Sequence, residues 1–362
     1  MSLKCDMRCA YCFSLDIEKN RIEKTGDKMN IETLERIVIK TLSAASRQCT
    51  FAFQGGEPTQ AGLDFYKHLI GFVNRYNNKR IDVLYAIQTN GYNIDREFAD
   101  FFAEHRFLVG LSLDGVKSIH DMYRKDITGK GTFLKVMHAA QLFNNSGVEY
   151  NILTVITAQT AKSIGQIYGF FSRNNFLYQQ YIPCLDPLDE KRGQHDYSLT
   201  PKLYGNFLCS LFDLWYNDFI RGKRVSIRYF DNLVQMIMGY PPENCAMIGH
   251  CSRQIVVDAD GSVYPCDFYV LDEYRLGNLR YDDFDKIEKT RDALGFRTPS
   301  MQKSPYCDAC RWYSLCRGGC FRERDTKDET GTLHNYYCNS YKKFFEYAYP
   351  RLEKCAGTFN RF

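Results

Sequence analysis

The stretch "KCDMRCAYCF", residues 4–13, sets three cysteines, Cys5, Cys9 and Cys12, within eight residues, with Tyr11 between the last two and Phe13 directly after. Three thiols are too many for one disulfide and one short of a closed tetrahedral zinc site. A C-x3-C-x2-C loop can instead wrap three corners of a cubane iron–sulfur cluster, whose thiolate ligands are normally four. One iron is then left without a protein ligand, the arrangement by which catalytic metal sites keep a position open. Two other readings compete. A zinc site completed from elsewhere would ordinarily recruit a nearby histidine, and the first one downstream is His68. A redox pair Cys9-Ala-Tyr-Cys12 leaves Cys5 without a task.

The other cysteines also argue for metal ligation. Fifteen among 362 residues is an odd number in a large chain. No charged-then-apolar leader opens the sequence, so the expected compartment is the cytoplasm, where thiols stay reduced. Eight cysteines crowd between Cys245 and Cys338, while Cys49, Cys184, Cys209 and Cys355 stand alone and read as small buried hydrophobes. Hydrophobic residues at 44% and charged residues at 25% describe a globular protein. The formal charge of +4, from 47 basic against 43 acidic side chains, is too even for a nucleic-acid footprint. No apolar run is long enough to span a bilayer. Neither nucleic acid nor membrane is expected as a partner.

Residues 30–185 alternate between two periods. Strand character marks "TFAFQ" (50–54), "VLYAIQTN" (83–90), "FLVGLSL" (107–113), "YNILTVI" (150–156) and "LYQQYIP" (177–183). Between them, "NIETLERIVIKTLSAAS" (30–46) and "AGLDFYKHLIGFVNRYN" (61–77) repeat apolar residues at three- and four-residue steps. Strand, helix, strand, repeated, implies a parallel sheet with crossover helices, either doubly wound or a barrel. The site is then expected at the C-terminal ends of the strands, where "QGGEP", "QTNG" and "SLDG" lie. Residues 202–240 read as helical. After Pro241-Pro242 periodicity fades, one hairpin is expected at "RQIVVDADGSVYPCDF" (253–268), and metal sites are expected to staple the region.

The opening motif, with an aromatic before its last cysteine, resembles the signature of radical S-adenosylmethionine (SAM) enzymes. The resemblance implies that the free iron chelates SAM and that reductive cleavage releases a 5′-deoxyadenosyl radical. "GGEP" then resembles the segment that meets the amino group of SAM, which points to Gly55, Gly56 and Glu57. Further SAM contacts implied by local similarity are Tyr11 in the cysteine loop, Ser112 in "GLSLDG", Arg124 in "YRKD" and Leu185 in "CLDP". Cys251-x9-Gly261-x4-Cys266, then Cys307-x2-Cys310-x5-Cys316-x3-Cys320 and Cys338, resembles the SPASM domain of peptide-modifying radical SAM enzymes, with Cys245 as an eighth thiol. By that resemblance Cys245, Cys251, Cys266 and Cys320 hold one auxiliary cluster and Cys307, Cys310, Cys316 and Cys338 another, giving three [4Fe-4S] clusters in all.

Longer segments, "FAFQGGEPT", "FLVGLSLDG", "RVSIRYFD", "GSVYPCDFYVLDEYRLGN" and "NYYCNSYKKFFEYAYPRL", are similar to the anaerobic sulfatase-maturating enzymes. Membership would imply oxidation of a Cys or Ser to Cα-formylglycine in a sulfatase segment Cys/Ser-x-Pro/Ala-x-Arg, with an electron donor of flavodoxin or ferredoxin type. It would make Asp267, directly after Cys266 in "YPCDFY", the proton acceptor. The expected fold is α/β, a partial (β/α)6 radical-SAM barrel over residues 1–225, followed by a SPASM region over 226–362 that ends in a helix. Only four residues precede Cys5, so either the chain is truncated or mis-started, or the barrel lacks the strand that leads into its cysteine loop, which would expose the neighbouring edge. Alternatives are a SPASM enzyme that crosslinks a ribosomal peptide through a thioether or carbon–carbon bond, and a zinc-stabilised binding protein.

Overall fold

The apolar runs of the N-terminal half become strands. In the computed structural model, which describes residues 4–23, 26 and 28–359, one sheet holds β1 (Gln48–Phe53), β2 (Asp82–Thr89), β3 (Phe107–Ser112), β4 (Tyr150–Ile156), β5 (Tyr178–Pro183) and β6 (Ser226–Ile227). Their order is β1-β2-β3-β4-β5-β6, and the pairs β1–β2, β2–β3 and β5–β6 are parallel. Each strand lies beside its successor, as in a barrel wall, whereas a doubly wound sheet reverses at a switch point. The expected α/β fold with a parallel sheet is therefore present. A strand leading into the cysteine loop would fall on residues 1–3, outside the described residues. β6 breaks the stretch expected to be continuous helix, which divides into helices Pro201–Ile220 and Arg228–Ile237. Two residues are too few to show a period.

The chain forms two compact units from interleaved segments. The first takes residues up to Leu113, His120–Ile152 and Gln254–Phe296; the second takes Asp114–Ile119, Leu153–Arg253 and the chain from Arg297 onward.

In the first unit, helices Ile31–Ala44 and Leu63–Tyr76 follow the predicted periodicity. Asn30 caps the former by accepting from the Thr33 amide at 2.8 Å, satisfying one of the free N–H groups of the first turn. Tyr66 is fully buried, with ring centroids 5.2 Å from Phe53 and 6.1 Å from Phe107, and its hydroxyl donates to the Pro58 carbonyl at 2.8 Å. Each such aromatic contributes roughly 1.5–3 kcal/mol of burial. The expected hairpin forms as β7 (Val256–Val257) and β8 (Ser262–Tyr264), joined antiparallel by β9 (Gly277–Asn278). Gly261, at φ 89°, takes the left-handed position of its turn. Val263, Leu276, Leu279 and Ile287 form a core with Ile37, against which Phe51 of β1 packs. This packing holds the segment after β8, Cys266–Phe268, beside the end of β1.

In the second unit, helices Pro201–Ile220 and Cys338–Phe359 bury one another's apolar faces. Phe212 lies 5.3 Å from Phe230 and 5.8 Å from Phe344. A Cβ on Gly205 would stand 3.2 Å from the Cα of Ser340, so glycine there permits the close approach. A short antiparallel pair, β10 (Arg324–Lys327) and β11 (Leu333–Asn335), follows the dense cysteines. Of the lone cysteines, Cys184 and Cys355 are buried as expected, while Cys49 and Cys209 are only half-buried.

Candidate active site

The cysteine loop has no regular structure and is fixed by its backbone. Arg8 N–H donates to the Lys125 carbonyl at 2.7 Å, Ala10 N–H to Tyr123 at 3.1 Å, and Ile127 N–H to Asp6 at 3.1 Å. Met7 and Tyr11 turn inward and are buried, leaving Cys5, Cys9 and Cys12 half-buried around them. Burial, opposed by the Met7 N–H and reinforced by Glu57, Asp6 and Cys12, pushes the Cys5 thiol up to about 11. Three thiols within eight residues, held half-buried by this backbone, are a donor set that fits three corners of an iron–sulfur cluster. The Asp6 carboxylate, unremarked in the sequence, ties the loop down: it accepts from Asn90 Nδ2 at 2.7 Å, from Gln60 Nε2 at 2.9 Å and from Asn93 Nδ2.

The segment after β1 is bonded to that loop through Glu57 N–H, which donates to the Lys4 carbonyl at 2.9 Å. Gly55 and Gly56 take φ of 91° and 57°, conformations costly for any residue with a Cβ. The Glu57 side chain faces the protein. Its carboxylate accepts from Thr59 N–H (3.0 Å), Thr59 Oγ1 (2.8 Å), Thr89 Oγ1 (2.8 Å) and Asn90 N–H (2.7 Å). Burial drives its pKa upward against these four bonds. Glu57 thus staples the strand ends, and the surface this segment offers a ligand is its backbone. Arg124 stacks over Tyr11 at 5.5 Å, both buried, and Ser112 ends β3. Leu185 belongs to the second unit.

Asp267 meets the same segment. Gln54 Nε2 donates to Asp267 Oδ2 at 2.5 Å, and Cys266 Sγ donates to Asp267 Oδ1 at 3.4 Å. Phe268 anchors the turn by packing edge-on against Phe13 at 5.1 Å. One strand end, Gln54–Glu57, therefore contacts both the cysteine loop and Asp267. Gln54 could be suspected only from its position at a strand terminus.

In the second unit the thiols gather in two groups. Cys320 feels Cys251 and Cys245, while Cys316 feels Cys338, Cys307 and Cys310; burial is the main cause of the upward shift of each, and Cys316 reaches about 12. Among the described residues no three His, Cys, Asp or Glu side chains converge on a point that could hold a single metal ion. Arg324, which no motif marks, is buried and donates to the carbonyls of Gly318 (3.0 Å), Ser300 (2.7 Å), Gly249 (3.0 Å), Arg317 (3.3 Å) and Gly319 (3.1 Å). It clamps the "CRGGC" turn to the segment before Cys251.

Residues 1–171 match the radical SAM superfamily, and residues 245–312 match the iron–sulfur cluster-binding SPASM domain. The chain is 47% identical, over 99% of its length and 96% of its relative's, to the cysteine-type anaerobic sulfatase-maturating enzyme of Clostridium novyi. This chain belongs to the anaerobic sulfatase-maturating enzymes. The serine-type enzyme of Bacteroides thetaiotaomicron is more distant, 32% identical over 96% of this chain and 88% of that one. Among solved structures, anSMEcpe with bound AdoMet and the Kp18Cys peptide superposes with a TM-score of 0.93 at 46% identity, covering 99% of this chain and 97% of that one. The maturating enzyme is thus a radical SAM oxidoreductase with a SPASM domain, and neither the crosslinking nor the zinc-binding alternative is favoured. Among its described residues no helix is long and apolar enough to cross a membrane.

Proposed function

We propose that the enzyme oxidises a cysteine in a sulfatase segment Cys-x-Pro/Ala-x-Arg to Cα-formylglycine, with Asp267 as the proton acceptor. The observation that carries this reading is the placement of Asp267: bonded through Gln54 to the strand end that also binds the cysteine loop. A cysteine target is favoured by the 47% identity to a cysteine-type relative against 32% to a serine-type one.

When bound, SAM and the cluster at Cys5, Cys9 and Cys12 supply a radical that takes a hydrogen atom from the substrate Cβ, and the auxiliary clusters supply an acceptor for one electron. The protein's part is to hold the thiol of the target near Asp267 and to remove its proton. Loss of the hydrogen atom, the thiol proton and one electron leaves a thioaldehyde, which water converts to the aldehyde with release of sulfide. Arg124 and Tyr11, packed on one another, together with Ser112 and the backbone of Gly55–Glu57, are assigned to SAM. Cys307, Cys310, Cys316 and Cys338 are assigned to one auxiliary cluster; Cys245, Cys251 and Cys320 belong to the other set, in which Cys266 is the remaining thiol. A separate electron, needed for the radical chemistry at the N-terminal cysteines, would come from a flavodoxin- or ferredoxin-type donor, and the compartment is assigned to the cytoplasm, where the thiolates stay reduced.

Anaerobically reconstituted enzyme is expected to hold on the order of twelve irons as three cubanes. Incubated with SAM, a low-potential reductant and a peptide carrying Cys-x-Pro-x-Arg, it should yield an aldehyde detected by mass and by hydrazide capture. SAM cleavage without any change in such a peptide would remove the sulfatase assignment.

A further inference from the structure

"QTNG" (88–91) ends β2, and nothing in the reaction above uses its asparagine. Asn90 is buried, and every polar atom of its side chain is committed. Its Oδ1 accepts from Tyr92 N–H at 2.8 Å, and its own N–H donates to Glu57 Oε2 at 2.7 Å. Its Nδ2 donates to Asp6 Oδ1 at 2.7 Å and to Cys5 Sγ at 3.6 Å. The orientation is fixed by these partners. A flipped amide would set its oxygen against the Asp6 carboxylate and its NH2 against the Tyr92 N–H, losing two hydrogen bonds for two repulsions.

Asp6 is held in turn, since its other oxygen accepts from Gln60 at 2.9 Å and from Asn93. The Asn90 amide is therefore a rigid donor aimed at one thiol of the N-terminal triad. Cys5 Sγ also accepts from the Met7 N–H at 3.4 Å. Hydrogen bonds to ligand sulfurs withdraw electron density and stabilise the more negative, reduced state of an iron–sulfur cluster, raising its potential.

We propose that Asn90 is a positioning residue for the N-terminal cluster, oriented by Asp6 so that its amide donates to Cys5 and raises the reduction potential of the cluster held there. The inference rests on the reading of Cys5, Cys9 and Cys12 as cluster ligands. It assigns "QTNG" the task of setting how readily the enzyme accepts its first electron.

The test is an EPR-monitored redox titration of reconstituted holoenzyme, with the N-terminal cluster identified as the signal that SAM perturbs. Asn90→Ala should shift that signal to lower potential and leave the SAM-insensitive signals unmoved. The paired exchange Asp6→Asn with Asn90→Asp controls for packing. The new amide at position 6 can donate to the new carboxylate at position 90 and keep its oxygen toward Gln60 and Asn93, so the link survives while the donor to Cys5 is lost. That exchange should load iron as the wild type does and shift the potential downward at least as far as Asn90→Ala. A wild-type potential in a fully loaded exchange variant would overturn the proposal. So would loss of the N-terminal cluster from both variants, which would show a purely structural role. A wild type without any SAM-sensitive signal would instead overturn the cluster reading on which the proposal stands.

Discussion

Asp267→Asn isolates the proton transfer from the architecture. The carboxylate receives the Gln54 amide at 2.5 Å and the Cys266 thiol at 3.4 Å. An amide at position 267 has the same shape and can keep its oxygen toward Gln54, so the strand end and Cys266 stay in place. What disappears is a group able to take a proton. A positioned general base contributes roughly 10²–10⁴-fold, about 3–5 kcal/mol at 1.36 kcal/mol per tenfold. With saturating peptide, aldehyde formation should fall by that factor while 5′-deoxyadenosine continues to form, both followed in the same anaerobic reaction by chromatography and mass spectrometry. Gln54→Leu keeps the base and removes its tether. A hydrogen bond to a charged group is worth about 1.5–3 kcal/mol, so product should fall by roughly 10- to 150-fold. Because the two residues act through one proton acceptor, the double variant should be little worse than Asp267→Asn alone. Aldehyde formation by Asp267→Asn within tenfold of wild type, or a double variant showing the product of the two losses, would refute the assignment.

Three further outcomes follow from the packing. Arg324→Lys replaces a planar fork that reaches five carbonyls with a single ammonium; leaving two carbonyls unpaired costs about 2–5 kcal/mol, and the variant should retain less iron after gel filtration while its SAM-sensitive EPR signal persists. Arg21 donates to Asp258 at 2.6 Å and to the Tyr264 hydroxyl at 2.9 Å, both ends buried. Arg21→Met removes the cation paired with that buried carboxylate and should cost about 3–5 kcal/mol in denaturant titrations, part of it recovered by adding Asp258→Asn. Burial pushes Asp231 up to about 6, against the Ser226 hydrogen bond and with help from Glu243. A carboxyl with a raised folded pKa lends stability below its ordinary value near 3.8 and loses it as pH climbs through 6. Asp231→Asn should therefore gain about 1 kcal/mol on wild type between pH 5 and pH 8, and equal differences at both pH values would refute this.

Ligand chemistry was legible because it depends on residue type and spacing along the chain. The three thiols of Cys5–Cys12, the eight between Cys245 and Cys338, and the strand–helix alternation through β1–β5 are all local patterns, and a local pattern survives folding unchanged. β6 escaped notice because two residues carry no period, and the direction in which the Glu57 carboxylate turns is not written in its sequence position. In the structure four donors draw it inward.

Tertiary structure alone decided the pairings between distant segments. Gln54 and Asp267 are 213 residues apart and Cys5 and Asn90 are 85 apart, so no window of sequence contains either pair. They meet because Val263, Leu276 and Leu279 bury themselves against Ile37 beside β1, and because β2 ends where the cysteine loop is tied down by Asp6. The spacing of the thiols pointed to metal ligation, and the resemblance of those motifs to a known family pointed to the cofactors and the reaction. Burial of apolar side chains, which has no direction along the chain, brought Gln54 to Asp267 and Asn90 to Cys5.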